Sequence, residues 1–125
     1  MTKVLIIDDD PLILNVYSKV LSQKNFSPLT AENGKVGLDI LTNDTEISKV
    51  LLDVYMPEMD AYGFLKAVQG DSVLCERYLE IYIVTSGEKE EILQRFFEEK
   101  IDMKYIRNIL KKPVDLQMLT AALQL

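Results

Sequence analysis

Four short apolar runs in this chain end on residues that can do chemistry. Val4-Leu5-Ile6-Ile7 leads into Asp8-Asp9-Asp10, and Val50-Leu51-Leu52 into Asp53. Ile81-Tyr82-Ile83-Val84 leads into Thr85-Ser86, and Ile109-Leu110 into Lys112-Pro113. Runs of this kind read as buried parallel strands. In an open α/β sheet the carboxyl ends of the strands share one edge, and ligands bind there. Residues far apart in sequence should therefore meet: several carboxylates, a hydroxyl and an ammonium. Such a set suits a hard cation and a phosphoryl group, with one carboxylate as nucleophile.

Each member also has a plainer reading. Asp10 precedes a proline and an apolar helical pattern, so it reads as an N-cap. Thr85 alone could cap a helix, Lys112 could be a surface charge, and Asp53 could mark a turn. Asp8 and Asp9 are harder to explain that way, because neighbouring acids repel unless a cation answers them. Oxygen donors without any histidine point to Mg²⁺, Mn²⁺ or Ca²⁺ rather than Zn²⁺. Asp53 is then a third ligand or a nucleophile, since carboxylates form aspartyl-phosphate intermediates. Phosphoryl transfer asks mainly for positioning and neutralised charge, which a divalent cation, the Lys112 ammonium and the Thr85 hydroxyl would supply. Pro113 fixes the backbone beside Lys112. All four groups at successive strand ends outweigh the separate plain readings.

The elements that must hold these groups alternate strand and helix five times, which argues βαβ units and a parallel sheet. Strands are predicted at about 3–8, 26–31, 48–53, 80–85 and 105–110. Pro28 sends the second strand to a sheet edge. Helical patterns follow each strand. The first turns Ile13, Val16, Tyr17, Val20 and Leu21 inward, and the second Val36, Ile40 and Leu41. The third begins near Asp60 and turns Ala61, Phe64, Leu65 and Val68 inward. The fourth starts near Glu88 with Ile92, Leu93, Phe96 and Phe97 as its apolar face. The last, about 115–124, buries Leu116, Leu119, Ala122 and Leu123.

The 125 residues suffice for one domain, taken as 1–125 with no effector domain. A net charge of -6 argues against direct nucleic-acid binding. The single Cys75 fits a reducing, cytoplasmic setting. No run is long enough for a membrane span.

Taken together, the strand-end motifs resemble the receiver domain of two-component response regulators. Val4–Pro11 resembles that family's first strand and acidic pair. Asp53-Val54-Tyr55-Met56-Pro57-Glu58-Met59-Asp60 resembles its phosphorylation loop, and Ile83-Val84-Thr85-Ser86 and Lys112-Pro113 its hydroxyl and lysine signatures. The resemblance covers essentially the whole chain. It implies a flavodoxin-like (βα)₅ three-layer sandwich with sheet order 2-1-3-4-5. It makes Asp53 the phosphoacceptor, served by a sensor histidine kinase or phosphotransfer protein, with a downstream protein target. It assigns Mg²⁺ to Asp9, Asp53 and the backbone carbonyl of Tyr55, with Asp8 assisting through water, and gives Thr85 and Lys112 the phosphoryl oxygens. Such a module catalyses only its own phosphorylation and dephosphorylation.

Three departures from the family pattern stand out. Ile109 occupies the position where an aromatic switch is common. Ala61 stands where glycine is frequent, and is expected to begin a helix instead. The segment before the fifth strand is long and basic, with Lys100, Lys104, Arg107, Lys111 and Lys112. It reads as a solvated face or as a patch for an acidic partner. Tyr55 and Gly87, two residues past Asp53 and Thr85, carry no group to position a hydrolytic water. Two other functions compete: a haloacid-dehalogenase-like aspartyl phosphatase using Asp8-x-Asp10, and a degenerate receiver serving as a scaffold. The phosphatase needs a further acidic pair after the lysine, where only Asp115 remains.

Overall fold

Apolar runs and amphipathic stretches alternate through the computed structural model, which describes residues 1–124. Leu125, the last residue of the predicted 1–125 domain, lies outside the described residues. The strands are β1 (Thr2–Ile7), β2 (Phe26–Ala31), β3 (Ile47–Asp53), β4 (Glu80–Thr85) and β5 (Ile106–Lys111). The helices are α1 (Pro11–Gln23), α2 (Gly34–Asn43), α3 (Ala61–Gly70), α4 (Lys89–Glu98) and α5 (Leu116–Gln124). Short 3₁₀ turns at Leu74–Glu76 and Met103–Tyr105 precede β4 and β5.

All strand pairs are parallel, in the order β2-β1-β3-β4-β5. Right-handed crossovers then dictate the layers. The chain moves outward from β1 to β2 and reverses toward β3, β4 and β5. The reversal places α1 on one face, with α5, and α2, α3 and α4 on the other. Alternating residues feed both layers. Leu5, Ile7, Val50, Leu52, Ile81 and Ile83 pack under α2–α4. Val4, Ile6, Leu51, Tyr82 and Val84 pack under α1 and α5. The reversal between β1 and β3 is the topological switch point where ligands of such sheets bind.

The predicted helix faces hold in part. Tyr17, Leu21, Leu41, Ile92 and Phe96 are buried, whereas Val16, Val36 and Leu93 reach the surface and Phe97 is 81% exposed. A helix against one sheet buries a stripe, and the apolar pattern on these helices is wider than that stripe. In α2 the close contact falls on glycine. A β-carbon at Gly34 would lie 2.8 Å from the Met59 carbonyl, which accepts the Gly34 N–H at 3.2 Å. Ala61 opens α3 as expected, and Asp60 Oδ1 caps it by accepting the Gly63 N–H.

Both sheet edges are blunted. Pro28 sits in β2, and on β5 the Asn108 side chain accepts the Ile109 N–H at 2.8 Å. At the amino edge, Glu80 pairs with both Lys49 and Arg107. Arg77 donates to the carbonyls of Leu41, Asp44 and Ile47. Lys3 and Asp44 form a further ion pair at 2.8 Å.

Candidate functional site

Three strands deliver carboxylates and a lysine to one point on the carboxyl edge. The Asp8 N–H donates to the Ala31 carbonyl at 3.1 Å, so β1 is held to β2 one residue past its end. Asp8 is buried; its Oδ1 accepts the Asp10 N–H at 2.9 Å. Asp10 caps α1, accepting the Leu12 N–H at 2.9 Å ahead of Pro11, which bears out its reading as a cap. Asp9, between them, is exposed. Asp53 is the last residue of the central strand β3 and is 6% exposed.

Lys112 comes from the edge of the sheet. Its N–H donates to the Thr85 carbonyl at 2.7 Å, which ties the end of β5 to the end of β4, and a cis peptide bond joins it to Pro113. Its Nζ lies 3.1 Å from Asp8 Oδ2 and 3.1 Å from Asp53 Oδ1. Thr85 lies one residue beyond Val84, the register partner of Asp53. Its buried hydroxyl accepts the Gly87 N–H at 2.9 Å. The Tyr55 side chain is half exposed and leans over Gly87, its hydroxyl 3.2 Å from where a β-carbon there would sit.

The electrostatics are unbalanced. Burial pushes the Asp53 carboxyl above its usual range, and the nearby Asp8 charge adds to this against the opposing pull of Lys112. Burial alone would lower Lys112, but Asp53 and Asp8 outweigh it and hold the ammonium above its usual value. Carboxylate oxygens of Asp8, Asp9 and Asp53 all lie within 4.8 Å of one another. Three carboxylates less the one ammonium leave a formal charge of -2. A hard divalent cation would cancel that charge, and an all-oxygen donor set suits Mg²⁺.

The structure thus brings together Asp8, Asp9, Asp53 and Lys112, with Thr85 on the adjoining strand. Sequence reasoning missed Tyr17. Its ring lies beside the site, where burial raises its hydroxyl pKa and the charges of Lys112, Asp8 and Asp53 act on it. The available signal was a polar-tipped side chain on the otherwise aliphatic stripe of α1. The basic segment is mostly compensated. Lys104 faces Asp102, Arg107 pairs with Glu80, Lys111 with Glu88, and Lys112 belongs to the acidic site. That distribution is a solvated face for Lys104, Arg107 and Lys111.

Residues 4–124 match the family model described as the response regulator receiver domain. A rice (Oryza sativa subsp. japonica) protein, two-component response regulator ORR5, is 31% identical over 111 residues, spanning 89% of this chain and 78% of the relative. The Vibrio cholerae chemotaxis protein CheY4 superposes with a TM-score of 0.84 at 27% identity, over 99% of this chain and 97% of that one. A response regulator receiver domain protein from Clostridium thermocellum gives 0.80 at 25% identity, over 99% and 92%. The strand order, the acidic cluster at the switch point and these matches agree: the chain belongs to the receiver domain family of two-component response regulators.

Proposed function

We propose that Asp53 accepts a phosphoryl group from a phosphohistidine on a sensor histidine kinase or phosphotransfer protein in the cytoplasm, and that its phosphorylation switches an interaction with a downstream protein. The observation that carries this reading is the Lys112 ammonium held 3.1 Å from both Asp8 and Asp53 inside an acidic cluster. Asp53 attacks the phosphorus in line, and the phosphorus–nitrogen bond to the donor imidazole breaks as the new oxygen–phosphorus bond forms. Lys112 is already placed to stabilise the transferred oxygens. Thr85 offers its hydroxyl from the next strand. Asp8, Asp9, Asp53 and the Tyr55 carbonyl would hold Mg²⁺, which supplies charge neutralisation for the phosphoryl oxygens when bound. Reversal by water is the module's other reaction, and no metabolite is turned over.

The phosphatase alternative loses support, because both oxygens of Asp8 are engaged, Oδ1 by the Asp10 N–H and Oδ2 by Lys112, whereas Asp53 is engaged by Lys112 through Oδ1 alone among the described residues. Incubation with a small-molecule phosphodonor and Mg²⁺, followed by intact-mass measurement, tests the reading. One added phosphoryl group is expected on the wild type and none on Asp53→Asn. Labelling that survives in Asp53→Asn but vanishes in Asp8→Asn would restore the phosphatase.

A further inference from the structure

The amino edge of the sheet holds a cavity that the chemistry at Asp53 does not use. Two connections wall it: that from α3 to β4, with the turn Leu74–Glu76, and that from α4 to β5, with the turn Met103–Tyr105. Its volume is about 390 Å³, a size typical of small-molecule sites. Aspartates hold both turns. Asp71 Oδ1 accepts the N–H groups of Val73 and Leu74 at 2.8 and 3.0 Å, and Asp102 Oδ1 accepts the Lys104 N–H at 3.0 Å. The Gln69 side chain on α3 accepts the Asp102 N–H at 2.8 Å, which ties the second turn to the helix before the first. The Tyr105 hydroxyl donates to the Cys75 carbonyl at 3.3 Å and joins the two walls directly. The shape of the cavity is therefore set by the chain's own bonds.

The lining is cationic although the chain is acidic. Arg77, Lys104 and Arg107 line the cavity with Glu76 as the one acid, a formal surplus of +2 in a chain of net charge -6. The pairing these cations have is partial. Arg77 donates to the carbonyls of Leu41, Asp44 and Ile47, all neutral acceptors, and makes no ion pair among the described residues. Lys104 stands 3.8 Å from Asp102, with both side chains about half exposed. Arg107 shares Glu80 with Lys49. Water solvates the cations at the cavity mouth, so the fold does not depend on a ligand there. An anion that takes the place of this water meets positive charge from both walls.

The same cavity offers an aromatic ring. Tyr78 is 74% exposed, and its hydroxyl accepts a hydrogen bond from Arg107. The Arg107 guanidinium carbon lies 5.8 Å from the centre of that ring. A ring beside a planar cation suits a flat body with negative charge on its rim. A nucleic acid or an anionic membrane asks instead for a broad basic face, and this surplus is confined to one small recess.

We propose that this cavity binds a small aromatic anion carrying two negative charges, a nucleoside monophosphate or an aromatic dicarboxylate, with its ring against Tyr78 and its charge toward Lys104, Arg107 and Arg77. The site lies at the opposite edge of the sheet from Asp53 and shares no residue with the acidic cluster. It binds its ligand without the metal and without the phosphoryl group.

Titration of the full, metal-free chain with adenosine monophosphate, isophthalate and inorganic phosphate, followed by amide NMR shifts, tests this. At least one aromatic anion should give saturable shifts centred on residues 75–79 and 104–107. The tighter of the two tells a phosphate source from a carboxylate source. Inorganic phosphate should bind about tenfold more weakly than that anion, because it has no ring to set against Tyr78. Lys104→Glu should weaken binding about tenfold and Tyr78→Ala about threefold, and added salt should weaken it further. Both side chains are largely exposed, so both variants should keep the wild-type melting temperature. The proposal is overturned by shifts that fail to saturate with either aromatic anion, or that centre on Asp8, Asp53 and Lys112. Equal affinity for inorganic phosphate, or affinity undiminished in Lys104→Glu, would overturn it as well. Labelling of Asp53 by a phosphodonor should be unchanged in both variants, so this site and the chemistry at Asp53 fail separately.

Discussion

The two ends of the sheet solve opposite charge problems. At the amino edge one acid, Glu80, answers two cations, Lys49 and Arg107. At the carboxyl edge one cation, Lys112, answers two buried acids, and Asp9 adds a third. Surplus at the amino edge costs little, because the Arg107 side chain is 48% exposed and water solvates it. The Asp8 and Asp53 side chains are 4% and 7% exposed, and water cannot do the same for them. One end is finished by the chain itself, while the other is left with negative charge that a bound cation, or a proton on Asp53, would reduce. Structural and functional charge clusters are told apart by that residue of uncompensated charge.

Removing the answering charge at each end is the sharpest way to break this contrast. Without metal, Lys112→Met should cost about 3 kcal/mol in urea denaturation, since it leaves two buried carboxylates facing each other. Added Mg²⁺ should recover much of the loss. Glu80→Gln should cost less, about 1 kcal/mol, because Arg107 rehydrates and Lys49 keeps the Tyr82 ring at 5.8 Å. A larger loss from Glu80→Gln would reverse the comparison.

The pH dependence should also differ in sign between the ends. Asp53 keeps its proton to higher pH when folded than when unfolded. The folded state then binds more protons just above the ordinary carboxylate range, so metal-free stability falls as pH rises through that window. Asp53→Asn should remove that fall and exceed the wild type at neutral pH. Asp44 behaves oppositely: its hydrogen bond from Lys3 holds its carboxyl low, and its contribution disappears as pH falls through the folded value. Denaturation series in chelator, from mildly acidic to neutral pH, read both slopes. A rising slope that Asp53→Asn leaves unaltered would contradict the charge imbalance.

The smallest effects separate two adjacent acids. Asp10→Ala should lose about 1 kcal/mol through the α1 cap and leave Mg²⁺ binding intact. Asp9→Ala should leave stability nearly unchanged and remove most Mg²⁺ affinity by calorimetric titration. Equal Mg²⁺ isotherms for wild type and Asp9→Ala would remove Asp9 from the site.

Much of this was legible in the chain. Strand ends were readable because β1, β3 and β4 are apolar on both faces and stop at a polar group, so Asp8, Asp53 and Thr85 fell at one edge. Pro28 marked an edge strand for a purely local reason, its missing donor. Helix faces were less legible. Spacing shows which residues share a side of α4, but only the width of the contact with the sheet decides that Phe96 goes in and Phe97 stays out. The basic segment was open to two readings for a similar reason. Its charges cluster in sequence, and only Asp102 among their partners lies within the segment; Glu80, Glu88 and Asp53 arrive from elsewhere in the chain, so most of the compensation was invisible along it. Tyr17 was hidden because a core stripe and a site wall share the same periodicity.

The blunted edges of the sheet bear on how such a molecule behaves in a crowd. A parallel sheet with open borders can be extended by any stray extended chain, including a misfolded sibling. Here Pro28 supplies no donor on one border, and Asn108 has already claimed the Ile109 donor on the other. Growth by strand addition is discouraged on both sides, so many copies can stay apart at high concentration. Recognition is thereby left to side chains, whose identity varies from one chain to the next, rather than to backbone that every protein has in common.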